Sequence, residues 1–150
     1  MENRIEKRIE LKAPVSRVWT ALTDYRQFGE WFQVAIEGPF EPGQVSLGHM
    51  TYPGFEYIKW EAVVQQMQPE RLFSYTWHPY AVDPNVDYSQ ETPTLVEFRL
   101  EPISGGTLLM VTETGFDKIP SQRRAEAYSK HNEGWIEQLN NVGTYVAKKE

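Results

Sequence analysis

The sequence predicts an α+β fold: an antiparallel sheet, two short helices after the first strand, and one long C-terminal helix. Three observations carry this expectation. Turn-forming residue pairs divide 33–114 into strand-sized segments, helical spacing of apolar residues marks the region after the first strand, and a second helical stripe runs on after Pro120 with no further proline. The 150 residues suit one domain spanning 1–150. Area scaling gives roughly 7,900 Å² exposed when folded against about 25,400 Å² for the extended chain, so roughly 69% can be buried without disulfide or metal staples.

The segment Arg4 to Lys12 reads as a strand through Ile5, Ile9 and Leu11. Pro14 sits where a helix can begin, since proline at the first helical position loses no needed N–H. Val15, Val18, Trp19 and Leu22 then recur at i, i+3, i+4 and i+7. Asp24 and Gln27 resemble a capping box for a second short helix whose buried face would hold Tyr25, Phe28, Trp31 and Phe32. Strands are expected at Gln33–Phe40, Gln44–Thr51, Glu56–Met67, Arg71–Trp77, Thr94–Glu101 and Thr107–Thr114, divided by Pro42-Gly43, Pro53-Gly54, Pro69-Glu70 and Ser104-Gly105-Gly106. Val96, Phe98 and Leu100 alternate with charged residues, the mark of a sheet with one dry face. His78 to Pro93 breaks the rhythm, with three prolines and several acidic residues, and irregular runs of this length are often functional. Within it, Tyr80–Pro93 is expected to be more mobile than the strands it joins and to lie at the mouth of a cavity. From Pro120 to Lys148, Tyr128, Asn132, Trp135, Leu139, Val142 and Val146 form one stripe on a helix about 40 Å long. Only the sheet offers a partner surface that broad.

Composition excludes several functions. With no cysteine there is no disulfide scaffold, Cys–zinc site, iron–sulfur cluster or thiol chemistry. No apolar run approaches the ~20 residues of a membrane span, and the charged N-terminal segment has no apolar core of a secretory signal, so no membrane association and a cytoplasmic location are expected. The net charge of −6 argues against nucleic acid as a partner. Five Trp, eight Tyr and seven Phe are a heavy aromatic load, suited to a bulky core or an interior shaped for a ligand.

The ordered motifs resemble a known superfamily. Ala13-Pro14, Val18 to Asp24 and Trp31-Phe32 are similar to its opening signature. Pro69-Glu70-Arg71-Leu72 with Tyr75-Thr76-Trp77 is similar to its central strand pair. Gly106-Thr107, Leu109, Val111 and Thr114-Gly115-Phe116 match its last strand, and Gly134-Trp135 with Leu139 its long helix. This set resembles the START/Bet v 1-like (SRPBCC) superfamily, and within it the activator of Hsp90 ATPase homologue family. The resemblance implies a helix-grip fold, a curved sheet wrapped around the C-terminal helix, with a deep cavity between them. It embraces ligand carriers, cyclases and co-chaperone domains, so fold alone does not select an activity.

Trp31, Trp60, Tyr75, Trp77, Tyr128 and Trp135 are the expected cavity walls, and His49, Glu113 and Asn132 the inward polar groups. Glu113 shares strand parity with Leu109 and Val111, and Asn132 can both donate and accept. No nucleophile elbow, zinc-helix motif or phosphate-cradling loop is present. His49 with Glu113 would supply two metal ligands at best, so neither metal nor cofactor is expected. The leading expectation is a protein that binds a small hydrophobic or aromatic ligand. The alternatives are a cyclase or lyase using Glu113 or His49 for proton transfer, and a co-chaperone-like interaction domain, disfavoured because the sequence shows no obvious exposed apolar patch. A homodimer stays open as an assembly state.

Overall fold

The computed structural model describes residues 4–148; residues 1–3 and 149–150 of the expected domain lie outside them. The elements follow the expected order: β1 (Arg4–Leu11), α1 (Val15–Thr23), α2 (Tyr25–Phe32), β2 (Val34–Ile36), β3 (Val45–Met50), β4 (Lys59–Gln68), β5 (Leu72–Trp77), β6 (Thr94–Ile103), β7 (Gly106–Thr114) and α3 (Ser121–Lys148), with a 3-10 turn at Phe116–Lys118 before α3. The seven strands form one curved antiparallel sheet in the order β1-β7-β6-β5-β4-β3-β2. Helices α1 and α2 carry the chain from β1 at one edge to β2 at the other, and α3 packs along the sheet on β1 and against α1 and α2. This is the helix-grip arrangement.

Local chemistry accounts for the element ends. Pro14 caps α1 rather than opening it. Asp24 accepts from the backbone N–H groups of Arg26 and Gln27, but Gln27 does not complete a capping box; its side-chain oxygen accepts from Arg17 Nη1 at 2.7 Å. The segment expected as a strand over Gln33–Phe40 pairs only at Val34–Ile36, and Phe40 turns into the core beside Phe28 and Phe73. Strand β4 begins later than expected because Tyr52–Ile58 coils into two successive turns, with Phe55 N–H donating to the Tyr52 carbonyl and Ile58 N–H to that of Phe55. The two-residue β6–β7 connection needs a positive φ, and Gly105 supplies it at 82°. A register shift between Val64 and Gln66 bends β4, as a bulge does.

The buried face of α3 is made by Ala127, Trp135, Leu139, Val142 and Val146. The stripe therefore runs through His131 rather than Asn132, one residue off the expected phase at its N-terminal end. Trp135 is 3% exposed and its neighbour Ile136 is 50% exposed. Trp135→Ala is expected to cost about 3–5 kcal/mol in denaturant unfolding, and Ile136→Ala to stay within about 0.5 kcal/mol. Equal effects of the two substitutions would mean that the helix presents another face.

Candidate functional site

The expected interior cavity is largely filled. Phe28, Phe32, Trp60, Tyr75, Trp77, Phe98 and Trp135 interlock across the concave face, with neighbouring ring centroids 4.9–6.4 Å apart in edge, tilted or stacked contacts. The open volume, about 370 Å³, lies at one end of this stack. It is a groove with Phe32, Trp60, Trp77 and Trp135 at its base. The β3–β4 connection, the Trp77–Val82 stretch and one side of α3 form its walls.

Behind the base lies Glu113, 0% exposed. Strand β7 places it beside Ile5 of β1 and Val96 of β6, on the dry face with Val111 and Leu109. Four donors surround it. His131 Nδ1 and Trp135 Nε1 reach Oε1 at 2.7 and 2.9 Å, and Trp77 Nε1 and Thr94 Oγ1 reach Oε2 at 2.8 and 2.5 Å. The Tyr80 backbone N–H donates to His131 Nε2 at 3.1 Å, so Nε2 carries a lone pair and the imidazole is the neutral tautomer with its proton on Nδ1. The indoles can only donate, and the carboxylate form of Glu113 accepts from every neighbour. Burial pushes this carboxyl up, and the hydrogen bonds it accepts from His131, Thr94 and Trp135 act against burial; the balance lies below the ordinary carboxylate value. Tyr75, packed on Trp60 and Trp77, keeps a buried hydroxyl without a hydrogen-bond partner among the described residues. Burial and the Glu113 charge push its pKa well up, so it stays a neutral phenol.

The predicted site residues separate into three groups. Trp60, Trp77 and Trp135 line the groove, and Glu113 and Tyr75 sit behind it. Trp31 is buried away from the groove, its indole N–H donating to the Ala21 carbonyl at 2.8 Å. Tyr128 packs on Phe116 and its hydroxyl donates to the Arg4 carbonyl, so it is not a groove wall. Asn132 is half-buried and does not line the groove either. His49 is a correction: it is exposed on the outer face of β3 with Val45 and Leu47, while Ser46, Gly48 and Met50 turn inward. The 78–93 run does reach the mouth, through Tyr80, Ala81 and Val82. It is strapped to α3 by Arg123, which pairs with Glu91, donates to the Pro79 carbonyl at 2.8 Å and lies 4.7 Å from the Tyr88 ring centroid.

Residue-by-residue reading missed His131, Phe32, Tyr80 and Gly134. The spacing Ala127, His131, Trp135, Leu139 is a repeated i, i+4 and was available as a second stripe. The sequence also concealed an exposed aromatic group, since Tyr52, Phe55 and Tyr57 of the β3–β4 connection are 45%, 46% and 57% exposed. Among the described residues no helix is long and apolar enough to cross a membrane.

The helix-grip fold is shared with known proteins. The family model described as activator of Hsp90 ATPase homolog 1-like protein matches residues 12–147, and the chain belongs to that family. No curated protein sequence matches it. Among solved structures, a Mesorhizobium loti protein is similar over 98% of both chains with a TM-score of 0.76 and 23% identity. A Nitrosomonas europaea protein is similar over 99% of this chain and 96% of its own, at TM-score 0.74 and 19% identity. A protein of the dynemicin biosynthetic locus is similar at TM-score 0.73 and 19% identity over 98% of this chain, which spans 48% of that protein. At these identities the likeness is one of fold.

Glu113→Gln tests the carboxylate. A Gln amide can turn its NH₂ toward Thr94, whose hydroxyl can rotate to accept, but the Trp77 indole then has no acceptor. The expected loss at neutral pH is about 1–3 kcal/mol. Because the folded-state pKa of Glu113 is lowered, its advantage is present above the ordinary value of 4.5 and is lost as pH falls through the folded-state value. The stability gap between wild type and Glu113→Gln, followed by urea unfolding, should narrow on acidification below that ordinary value. A pH-independent gap would show that the charge contributes nothing.

Proposed function

We propose that this protein reversibly binds a small hydrophobic or aromatic molecule in the groove between the end of the sheet and α3. The observation that carries the reading is the state of Glu113. Its two oxygens already accept four hydrogen bonds, and His131 uses both ring nitrogens. Neither has a free lone pair or proton facing the groove, and His49 is exposed on the outer face of β3. The buried polar cluster stiffens an aromatic floor instead of offering an acid or base, which supports binding over a cyclase or lyase. The volume falls within the ordinary range of ligand sites.

Gly134 supports the same reading. It lies inside α3 and lines the groove, and a Cβ placed there would meet nothing within 4 Å. No packing within the chain calls for glycine, although glycine in a helix interior costs roughly 1 kcal/mol relative to alanine. Its absent side chain keeps the groove wide.

The neutral fluorescent probe N-phenyl-1-naphthylamine tests the proposal. Binding should brighten the probe and alter tryptophan emission, and at one hundred times its dissociation constant it should stabilise the fold by about 2.7 kcal/mol. Gly134→Ala should raise stability by about 1 kcal/mol. Gly134→Phe should stay folded and lose the probe, because its ring occupies the groove. No binding by the wild type, or undiminished binding by Gly134→Phe, would overturn the reading. So would recovery of a co-purified ligand in chemically altered form.

A further inference from the structure

We propose that the groove selects organic cations, molecules carrying a quaternary or tertiary ammonium group on an apolar body; this rests on the binding function above and names its ligand class.

The argument begins with an unbalanced charge. Glu113 is fully buried, and its neighbours His131, Trp77, Trp135 and Thr94 are all neutral donors. His131 cannot serve as counter-cation, because the Tyr80 N–H points at its Nε2 and a proton there would face another donor. The four hydrogen bonds replace hydration but leave a net negative charge inside the fold.

That charge sits against the groove through two indoles. Trp77 and Trp135 each donate N–H to the carboxylate, and their rings stack 5.9 Å apart with an interplanar angle of 30°. An indole faces a cation with the negative lobe of its quadrupole, and donation to an anion pushes more electron density onto that ring. Trp60 and Phe32 complete the base, and the exposed rings of Tyr52 and Phe55 stand at the mouth. A cation resting on this base would lie one ring away from Glu113 and receive both attractions in a water-poor setting.

The rim does not cancel this preference. Lys59 and Glu61 on β4, and Lys130 and Glu137 on α3, balance in formal charge, and all four are exposed. His78 adds a buried Nδ1 without a partner among the described residues. The chain's net charge of −6 also favours approach of cations over anions.

A matched pair of ligands tests the class directly. Phenyltrimethylammonium and tert-butylbenzene share shape and differ by one charge. Each would be measured as a competitor of N-phenyl-1-naphthylamine on the intact protein. The cation should bind at least about ten-fold more tightly, the preference should shrink with added salt, and the ratio of the two affinities should fall in Glu113→Gln, whatever that substitution does to binding of the neutral compound. If the neutral isostere binds as tightly as the cation to wild type, the cation proposal falls and groove binding stands. If neither displaces the probe, the cation proposal falls as well, and if the probe itself does not bind, the binding function falls with it. The wild-type comparison decides the matter even if Glu113→Gln does not fold.

Discussion

A carboxylate without solvent is costly unless every lone pair finds a donor, and in this protein the donors come from three directions. Trp77 belongs to β5, Thr94 to β6, and His131 and Trp135 to α3, while Glu113 itself is on β7. Sheet and helix are therefore held together by one polar knot inside an otherwise apolar interface. The knot fixes the rotation of α3 about its axis, because only one helical phase presents His131 and Trp135 together, four residues apart on one face. It also fixes the rotamers of two indoles that form the base of the groove. An aliphatic contact would tolerate sliding; a set of hydrogen bonds with narrow distance and angle limits does not.

Aromatic bulk explains why the open space is where it is. The rings of α2, β4, β5, β6 and α3 meet edge to face along the concave side, and this arrangement fills the middle of the sheet. The groove opens where the sheet ends and the walls change from strand to connection. There the β3–β4 connection and the Trp77–Val82 stretch replace regular pairing, and α3 contributes a glycine. The deep cavity implied by the family resemblance is thus reduced to a groove at the mouth, since the residues expected to surround a ligand pack on one another instead. Trp31 illustrates the shift: its indole satisfies the Ala21 carbonyl and joins α2 to α1, a structural task with no access to the groove.

The architecture was legible in the sequence because it depends on periodicity and turn chemistry, both local. Four of the expected turns hold a residue at positive φ, Gly43, Gly54, Glu70 and Gly105, and the inward parity of Val96, Phe98 and Glu113 was readable from alternation, whereas that of Tyr75 was not, since residues 72–75 are buried without alternation. Much of the site was not legible. A helix with 3.6 residues per turn lets a stripe shift by one residue without losing its apolar count, so Asn132 and His131 were nearly interchangeable in the pattern. Only the partner across the interface separates them, and that partner is 18 residues away in sequence. His49 failed for a related reason: on a short strand, alternation says which residues share a face but not which face is dry. Neither the strapping of the 78–93 run nor the filling of the interior leaves a local signature.

The strap links the floor of the groove to its rim. Tyr80, with φ at 52°, holds a left-handed conformation uncommon for a residue with a side chain. Its N–H is directed at His131 Nε2, while the Pro79 carbonyl accepts from Arg123. One face of α3 therefore specifies the Glu113 knot, the neutral tautomer of His131 and the path of the chain over the groove. Rim and floor meet at a single imidazole, which accepts from the Tyr80 N–H at Nε2 and donates to Glu113 from Nδ1.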